Sequence, residues 1–396
     1  MNIQSTKVKL VSEKTQLYAG IIIALLLGVA IGWVAKPAPS IPIGDTVAKS
    51  VYDELVADLA VAKAEIGNLG VELEAAQAEI NELEKPFKVG MITGTGGLGD
   101  KSFNDIAFSG VTRAFAELGV EYDYVEPTAI AEYEGYQRDF AMSGEYGLII
   151  CIGFDQADPL IVVANEYPEQ RFALVDMVVD NTNVASLTFR ANEGSFLLGI
   201  VAGMKSETGK IGFVGGMEIP LILDFFVGYE AGAKWANPDI EVLTPLYVGD
   251  WSDPVKGKEL AVSIIEGGAD MIFAAGGQSS LGALEAADEQ DVTGLGVDAC
   301  MDYLNENMFA SMTKRVDLAV YEMILDAMVD KFEGGFKSGG VAEGWVGMCR
   351  LPEEEAYWEE LFDFEHPELS EEIANKVAEA KNKIIAGDII VPNGYE

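Results

Sequence analysis

The chain has 396 residues, 49% of them hydrophobic, so it is long enough for two or three domains and apolar enough to bury a large core. Asp and Glu number 65 against 26 Lys and Arg, a formal net charge of −39, and so acidic a surface excludes a nucleic-acid-binding protein. The single histidine, His366, excludes a His-rich zinc site, and we predict no cofactor and no metal site. Cys151, Cys300 and Cys349 follow neither a C-x-x-C spacing nor a disulfide framework, and apolar neighbours predict a buried thiol at Cys151.

An apolar segment near the N-terminus is long enough to cross a membrane. Leu17–Ala35 contains 19 uncharged residues, which in a helix extend roughly 28 Å, close to the thickness of a bilayer core. Lys7, Lys9 and Lys14 precede the segment. The positive-inside rule therefore predicts a cytoplasmic tail over residues 1–16, a single-pass anchor in the cell membrane and an extracytoplasmic remainder. A cleaved signal peptide with an unusually long apolar part is the alternative.

A heptad pattern follows within residues 36–85, the predicted linker and stalk. Apolar residues recur at alternating spacings of three and four, which is typical of a coiled-coil seam. The pattern predicts a short stalk that lifts a globular domain off the membrane and allows two chains to pair. A single amphipathic helix is the alternative. The seam consists of Tyr52, Leu55, Leu59, Ala62, Ile66, Leu69, Leu73, Ala76, Ile80 and Leu83.

Residues 86–396 alternate β-rich runs with helical segments, which predicts a parallel α/β architecture. About 310 residues are too many for one doubly wound sheet, so we expect two lobes. The first takes about 86–190 plus 299–335, and the second about 191–298 plus the C-terminal part. The predicted strands are Lys88–Ile92, Gly147–Ile152, Arg171–Val175, Lys210–Val214, Asp270–Ala275 and Thr293–Val297. The predicted helices are Phe103–Leu118, Asp155–Tyr167, Asn192–Lys205, Phe225–Ala236, Pro254–Glu266 and Arg315–Phe332.

One strand–loop–helix unit occurs twice in this region. KVGMITG at Lys88 and KIGFVGG at Lys210 both lead to a helix with a Phe near its start, Phe103 and Phe225, and a Gly seven residues later. Ligands bind at the carboxyl ends of strands in open α/β sheets, so two facing lobes would place both rings across one cleft. Opposed rings suit a flat ligand, and packing in the core is the alternative.

Other motifs point to different chemistry with less support. Gly94–Gly99 fits the G-x-G-x-x-G of dinucleotide-binding proteins, but the third glycine lies before the predicted helix rather than inside it. The same loop is similar to a P-loop, but Asp100 would place a carboxylate in the phosphate cradle. The paired acids within Glu353–Glu360 are typical of a solvated helix face. In the absence of a nucleophile motif or a usable His, we do not predict an enzyme.

Several strings taken together resemble the basic membrane protein family of substrate-binding proteins: GDKSFND, NEGSFLLGIVAG, FVGYEAG, WSDPVKGKELA, GVD and SMTKRVD. The resemblance runs from about Phe87 to the C-terminal IIAGDIIVP and leaves out the anchor and the stalk. It implies a type I periplasmic-binding fold, with two doubly wound parallel-sheet lobes, a hinge and an interlobe cleft. It also implies that the protein delivers a nucleoside, a purine in characterised members, to the permease and ATPase subunits of an ABC importer. A ligand-sensing surface regulator of the same fold, or a binding protein for another small polar ligand such as a sugar, is the alternative.

The resemblance further implies residues that contact the base. Phe103 and Phe225 match the rings that stack on its two faces, and Phe226 is an alternative to Phe225. Asn104 and Asp176 are expected at the edge of the base.

The ribose contacts are implied in the same way. Asp298 and Lys314 match residues that hold the ribose hydroxyls, with a structural salt bridge between them as the alternative, and Gly276 and Gly277 lie in a glycine-rich strand-end loop. Many relatives carry Asp where this sequence has Gly94. We therefore expect broader base tolerance here.

Overall fold

The computed structural model describes residues 45–84, 86–362, 364 and 369–395. These residues belong to two compact units, which divide after Pro86. The predicted tail and anchor, residues 1–35, lie outside the described residues, and so does His366. Within the described ranges, no helix combines the length and the apolar character that a bilayer crossing requires.

The N-terminal unit is described as one helix, α1 (Asp45–Glu84). Its 40 residues extend about 60 Å at 1.5 Å per residue. The heptad region is therefore helical, whereas its pairing with a second chain stays a prediction. Two residues of the predicted seam, Ile66 and Leu73, are 57% and 51% exposed.

The second unit is built of alternating strands and helices. In chain order the strands are β1 (Lys88–Ile92), β2 (Glu121–Val125), β3 (Leu148–Ile152), β4 (Phe172–Val175), β5 (Val184–Phe189), β6 (Lys210–Gly215), β7 (Glu241–Val242), β8 (Leu246–Tyr247), β9 (Met271–Ala275), β10 (Thr293–Gly296), β11 (Met308–Lys314), β12 (Gly335–Gly339) and β13 (Val346–Met348). The helices are α2 (Phe103–Leu118), α3 (Tyr133–Ser143), α4 (Ala157–Glu166), α5 (Ala191–Lys205), α6 (Pro220–Ala236), α7 (Pro254–Glu266), α8 (Gln278–Glu289), α9 (Val316–Met328), α10 (Glu355–Phe362) and α11 (Glu371–Ala386).

The strands form two sheets, one in each lobe. The first has the order β12-β5-β4-β3-β1-β2, and its neighbouring strands run parallel. The second has the order β13-β11-β10-β9-β6-β7, with β8 also paired to β6. There β13 runs antiparallel to β11 and the other pairs are parallel. Every residue of β3 is buried, Cys151 among them, as expected of a parallel strand covered on both faces. The predicted parallel α/β architecture is confirmed.

The chain passes between the sheets three times: from β5 to β6, from β11 to β12 and from β12 to β13. The predicted division into lobes differs from the structure here. It assigned 299–335 to the first lobe, but β11 pairs with β10 in the second sheet, and β12 then returns to the first. The helix α9 lies between β11 and β12 and packs on α2 of the first lobe, so part of the segment 299–335 does lie against that lobe.

Backbone hydrogen bonds hold the crossing segments together. Arg190 N donates to Gly339 O at 2.9 Å, and Arg315 N donates to Trp345 O at 2.8 Å. The Arg315 guanidinium also donates to both carboxylate oxygens of Asp317, at 2.9 and 2.8 Å. These bonds lie at one edge of the body, where a hinge between the two lobes is expected.

Candidate functional site

The carboxyl ends of strands from both sheets open into one cleft between the lobes. It contains about 700 Å³ of empty space, part of it open to solvent. Loops after β1, β3, β4, β9 and β10 line it, together with residues of α2 and α6 and the end of β11. Strand ends at such a crevice are the general ligand site of parallel α/β folds. Every predicted ligand-binding residue lines this cleft: Phe103, Asn104, Asp176, Phe225, Gly277, Asp298 and Lys314, with Gly276 beside them.

Two phenylalanine rings face the cleft, and a lysine ammonium group lies near both. Phe103 is the first residue of α2, and Phe225 lies in the second turn of α6. Lys314 Nζ is 4.8 Å from the centroid of the Phe103 ring and 5.8 Å from that of Phe225. Phe226 instead packs on Phe213 in the core, with ring centroids 5.5 Å apart. The cleft ring of α6 is therefore Phe225.

Lys314 does not form the structural salt bridge with Asp298 that was the alternative to ribose binding. Lys314 Nζ lies 2.5 Å from Asp176 Oδ2, and the two side chains are only 3% and 5% exposed. Toward Asp298, Lys314 donates its backbone N–H to the backbone carbonyl at 2.8 Å. Lys314 ends β11 in the second lobe, and Asp176 follows β4 in the first. The buried ion pair thus joins the lobes across the cleft.

Asp298 is a buried carboxylate with one oxygen engaged. Its Oδ2 accepts from Ser102 Oγ of the first lobe at 2.8 Å. Within the described residues, Oδ1 of Asp298 and Oδ1 of Asp176 are buried without a hydrogen-bond partner. Burial raises the pKa of Asp298 to about 6, against the opposing effects of the Lys314 charge and the Ser102 hydrogen bond. Two acceptor oxygens are therefore available to donors on a ligand.

The N-terminus of α2 already holds an anionic group. The Asp100 carboxylate accepts from the backbone N–H groups of Ser102, Asn104 and Asp105 at 3.0, 2.9 and 3.2 Å. It takes the position that a phosphate would need, so this loop is not a phosphate cradle. The Asn104 side chain accepts from Gly94 N at 2.8 Å and donates to Asp100 at 3.2 Å. Asn104 therefore holds the loop and retains one N–H for the cleft.

Two further contacts between the lobes were missed by the sequence analysis. Gln278 Nε2, at the start of α8, donates to Gly96 O at 2.9 Å. The rings of Phe154 and Trp251 meet edge to face with centroids 6.4 Å apart. Trp251 lies in the string WSDPVKGKELA, and Gln278 directly follows the two strand-end glycines. The position of both residues just after strands was the sequence signal that could have identified them as cleft residues.

Asp155 is a cleft carboxylate that the sequence analysis also missed. Its Oδ2 accepts from Tyr133 Oη at 3.2 Å, and Tyr133 Oη accepts from Thr95 N at 3.0 Å. Burial raises the pKa of Asp155. A Cβ built on Gly153 would lie 3.0 Å from Asp155 Oδ1 and 4.0 Å from the Cα of Gly94. Asp155 therefore places a carboxylate near Gly94.

Sequence and structure comparisons agree on the relatives of this chain. Residues 87–394 match the family of PnrA-like ABC transporter substrate-binding proteins (Bmp). Basic membrane protein A of Borreliella burgdorferi is 35% identical over 308 residues, 75% of this chain and 85% of that protein. An uncharacterized lipoprotein of Pyrococcus furiosus is 35% identical over 280 residues, 67% of this chain and 70% of that protein.

A crystal structure of an ABC transporter solute-binding protein from Aeropyrum pernix is also similar. It is 33% identical in sequence, superposes with a TM-score of 0.71 and covers 78% of this chain and 94% of its own. The resemblance to basic membrane proteins is thereby confirmed over nearly the whole body. The chain belongs to the PnrA-like family of ABC transporter substrate-binding proteins.

Proposed function

We propose that this protein captures a nucleoside between its two lobes, with purine nucleosides as the expected class, and delivers it unchanged to an ABC importer. The observation that carries the proposal is the composition of the cleft. Two phenylalanine rings line it, and two buried carboxylates each have an acceptor oxygen without a partner. A nucleoside offers a flat apolar ring for the first pair and hydroxyl or N–H donors for the second.

The base stacks on Phe103 and Phe225. Aromatic stacking on a base is worth about 1–3 kcal/mol per ring. Lys314 Nζ now lies near both rings, so the incoming base displaces the ammonium group from this position. Lys314 then turns towards Asp298, whose pKa its charge already lowers, and both contact the ribose.

The ribose hydroxyls donate to Asp298, and the edge of the base is read by Asp176, Asp155 and Asn104. Hydrogen bonds to a charged group are worth about 1.5–3 kcal/mol each. Filling the two unpartnered oxygens therefore contributes much of the affinity. At Gly94, the part of the cleft that faces the edge of the base has no side chain. For this reason we propose that several bases are accepted.

The N-terminal segment is proposed to hold this body outside the cell membrane. Leu17–Ala35 is uncharged and follows three lysines, and one relative is a lipoprotein while another is called a membrane protein. Protease added to intact cells should remove the body and leave a small membrane-bound fragment. A mature chain that begins near Pro37 would instead identify a cleaved signal peptide.

Calorimetric titration of the purified protein tests the ligand. The panel contains adenosine, guanosine, inosine, uridine and cytidine, the 2′-deoxy forms, the free bases, and glucose and galactose as sugars. We expect ribonucleosides to bind, deoxyribonucleosides to bind more weakly and free bases to bind poorly. Binding of a sugar without any nucleoside would contradict the proposal. Equal affinity for ribo- and deoxyribonucleosides would contradict the role of Asp298 alone.

A ligand-sensing regulator of the same fold would give the same titration. Uptake in cells separates the two functions. Loss of the permease subunit of that importer should abolish uptake of the radiolabelled nucleoside if this protein serves an importer. Unchanged uptake, combined with altered expression of other genes, would favour the sensor.

A further inference from the structure

A second cluster of chemically reactive side chains lies outside the cleft, in the second lobe. Cys300 and Asp302 follow β10, and Cys349 follows β13. Two sulfur atoms and one carboxylate oxygen of these residues all lie within 4.8 Å of one another. The two cysteines are 0% exposed and the aspartate is 5% exposed. Because the cysteines are far apart in the sequence, their spacing gave no sign of this convergence.

One distance in this cluster matches the spacing of two ligands on a tetrahedral metal ion. Cys349 Sγ lies 3.4 Å from Asp302 Oδ2. Zinc binds thiolate sulfur at about 2.3 Å and carboxylate oxygen at about 2.0–2.2 Å, so two such ligands at a tetrahedral angle are about 3.5 Å apart. Three protein ligands and one water molecule complete a zinc coordination shell.

The carboxylate of the cluster is held in a fixed orientation. Ser311 Oγ donates to Asp302 Oδ1 at 2.7 Å, and Met301 N donates to Ser311 Oγ at 2.9 Å. The other oxygen, Oδ2, therefore remains directed at the Cys349 sulfur. Hydrogen bonds of this kind orient the ligands of metal sites in proteins.

We propose that Cys300, Asp302 and Cys349 bind one zinc ion, or a divalent ion of similar softness. Sulfur together with a carboxylate oxygen is a ligand set that selects zinc rather than magnesium or calcium. The ion would join the loop after β10 to the end of β13. Asp298 lies two residues before Cys300 in that loop. The ion would therefore stabilise the backbone that presents the Asp298 carboxylate, the proposed contact of the ribose hydroxyls, to the cleft.

Metal content of the full chain tests this site. The buried cluster requires loading during folding, so the protein is refolded with Zn²⁺, passed over a desalting column and analysed by elemental mass spectrometry. We expect about one equivalent of zinc in the wild type and in Cys151→Ser, whose thiol lies in the other lobe. We expect Cys349→Ser and Asp302→Asn to lose it. Refolding with Co²⁺ should give a thiolate-to-cobalt absorption band in the wild type and in Cys151→Ser, but not in Cys349→Ser or Asp302→Asn.

Ser311→Ala provides a milder variant, because it removes only the hydrogen bond that orients Asp302. It should weaken zinc binding about 10–100-fold in competition with a chelator. Zinc retained equally by Cys349→Ser would show adventitious binding by the acidic surface and would overturn the proposal. A disulfide between Cys300 and Cys349 in the non-reduced intact mass, or a wild type without zinc after refolding, would overturn it as well. None of these readouts depends on nucleoside binding.

Discussion

Asp176 and Asp298 combine a buried charge with an uncommon backbone conformation. Their φ angles are +73° and +64°, in the left-handed region that residues with a Cβ rarely adopt. Each such residue costs of order 1–3 kcal/mol. Both follow strands that end at the cleft, and both direct a carboxylate into it. Backbone strain and desolvation at the same two residues are what a site selected for binding rather than for stability would show.

Replacing Asp298 by Asn should stabilise the protein while weakening binding. The pKa of Asp298 is raised from 3.8 to about 6 in the folded chain, so its charged form destabilises the folded state above pH 6. Two units correspond to about 3 kcal/mol, and an amide removes this cost. Denaturant unfolding should show a gain approaching that size at pH 8 that becomes small near pH 4. A loss of stability at pH 8 would contradict the assigned burial.

Removal of either cleft ring should weaken binding of the nucleoside. Stacking worth about 1–3 kcal/mol per ring predicts a 5- to 150-fold loss for Phe103→Ala and for Phe225→Ala, mostly through faster release. Phe→Leu at either position should recover part of the loss. Phe226→Leu is the matched control, since that ring packs on Phe213 in the core. Equal losses in calorimetry for Phe225→Leu and Phe226→Leu would show that neither ring stacks on a ligand.

A carboxylate introduced at Gly94 should narrow the range of bases that bind. A Cβ there would lie 3.4 Å from Asn104 Oδ1 and from Ile152 O, which is an ordinary contact, so Gly94→Asp can be accommodated. One added hydrogen bond to a charged group predicts about 10- to 100-fold discrimination between bases that offer an N–H donor there and those that do not. Gly135→Asp, on an exposed helix position, is the control. An unchanged order of affinities would remove this edge from base recognition.

At the scale of elements, the phenylalanines of the repeated strand–loop–helix unit line the cleft as predicted, and its glycines have a second, structural role. Each repeat has a Gly at the same distance from its Phe, but these glycines lie in helix contacts. A Cβ on Gly110 would lie 2.5 Å from Asp317 O at the start of α9, and one on Gly232 would lie 1.9 Å from Phe196 O in α5. The two glycines therefore mark close helix packing, which is equivalent in the two lobes.

The predicted strands and helices show where sequence reasoning succeeds and where it fails. The six predicted strands match the structure within one residue at each end, because buried parallel strands are short apolar runs between turn residues. The helix predicted from Phe225 begins at Pro220 instead, since proline favours a first helical turn and the aliphatic run after it concealed the helical pattern.

Elements at the crossings between lobes were not predicted. The strand β12, GFKSG, contains two glycines and lies at a sheet edge, and β13 has only three residues. Such segments lack a run of apolar residues. The pairing of Lys314 with Asp176 rather than Asp298 was equally out of reach, because it depends on how the two lobes meet.

The stalk helix α1 is predicted to pair with a second copy of itself. The soluble fragment that begins after Lys36 should self-associate through the heptad seam. Leu59→Glu together with Leu73→Glu should make it monomeric, because each charge would be buried against the partner helix. Val61→Glu, outside the seam and 60% exposed, is the control. An unmutated fragment that sediments as a monomer at high concentration would rule out pairing.

In the whole molecule, three side-chain contacts between the two lobes lie in or beside the cleft. Ser102 bonds to Asp298, Lys314 pairs with Asp176, and Gln278 bonds to Gly96. The proposed ligand contacts and the lobe contacts therefore share residues, so we expect binding and domain closure to be coupled.

The overall charge restricts the class of ligand further. A net charge of −39 repels anions, and Asp100 occupies the helix N-terminus at the cleft. We therefore expect the proposed nucleoside ligand to be neutral and a nucleotide to bind more weakly.

Mass spectrometry of the ligand released from purified, denatured protein tests the central claim most directly. A tightly closed cleft should retain its natural ligand through purification in part of the molecules. We predict that a neutral nucleoside is released, in amounts that fall sharply when Asp298→Ala is purified in parallel. Release of a sugar or a peptide from the wild type, again lost in Asp298→Ala, would contradict the account.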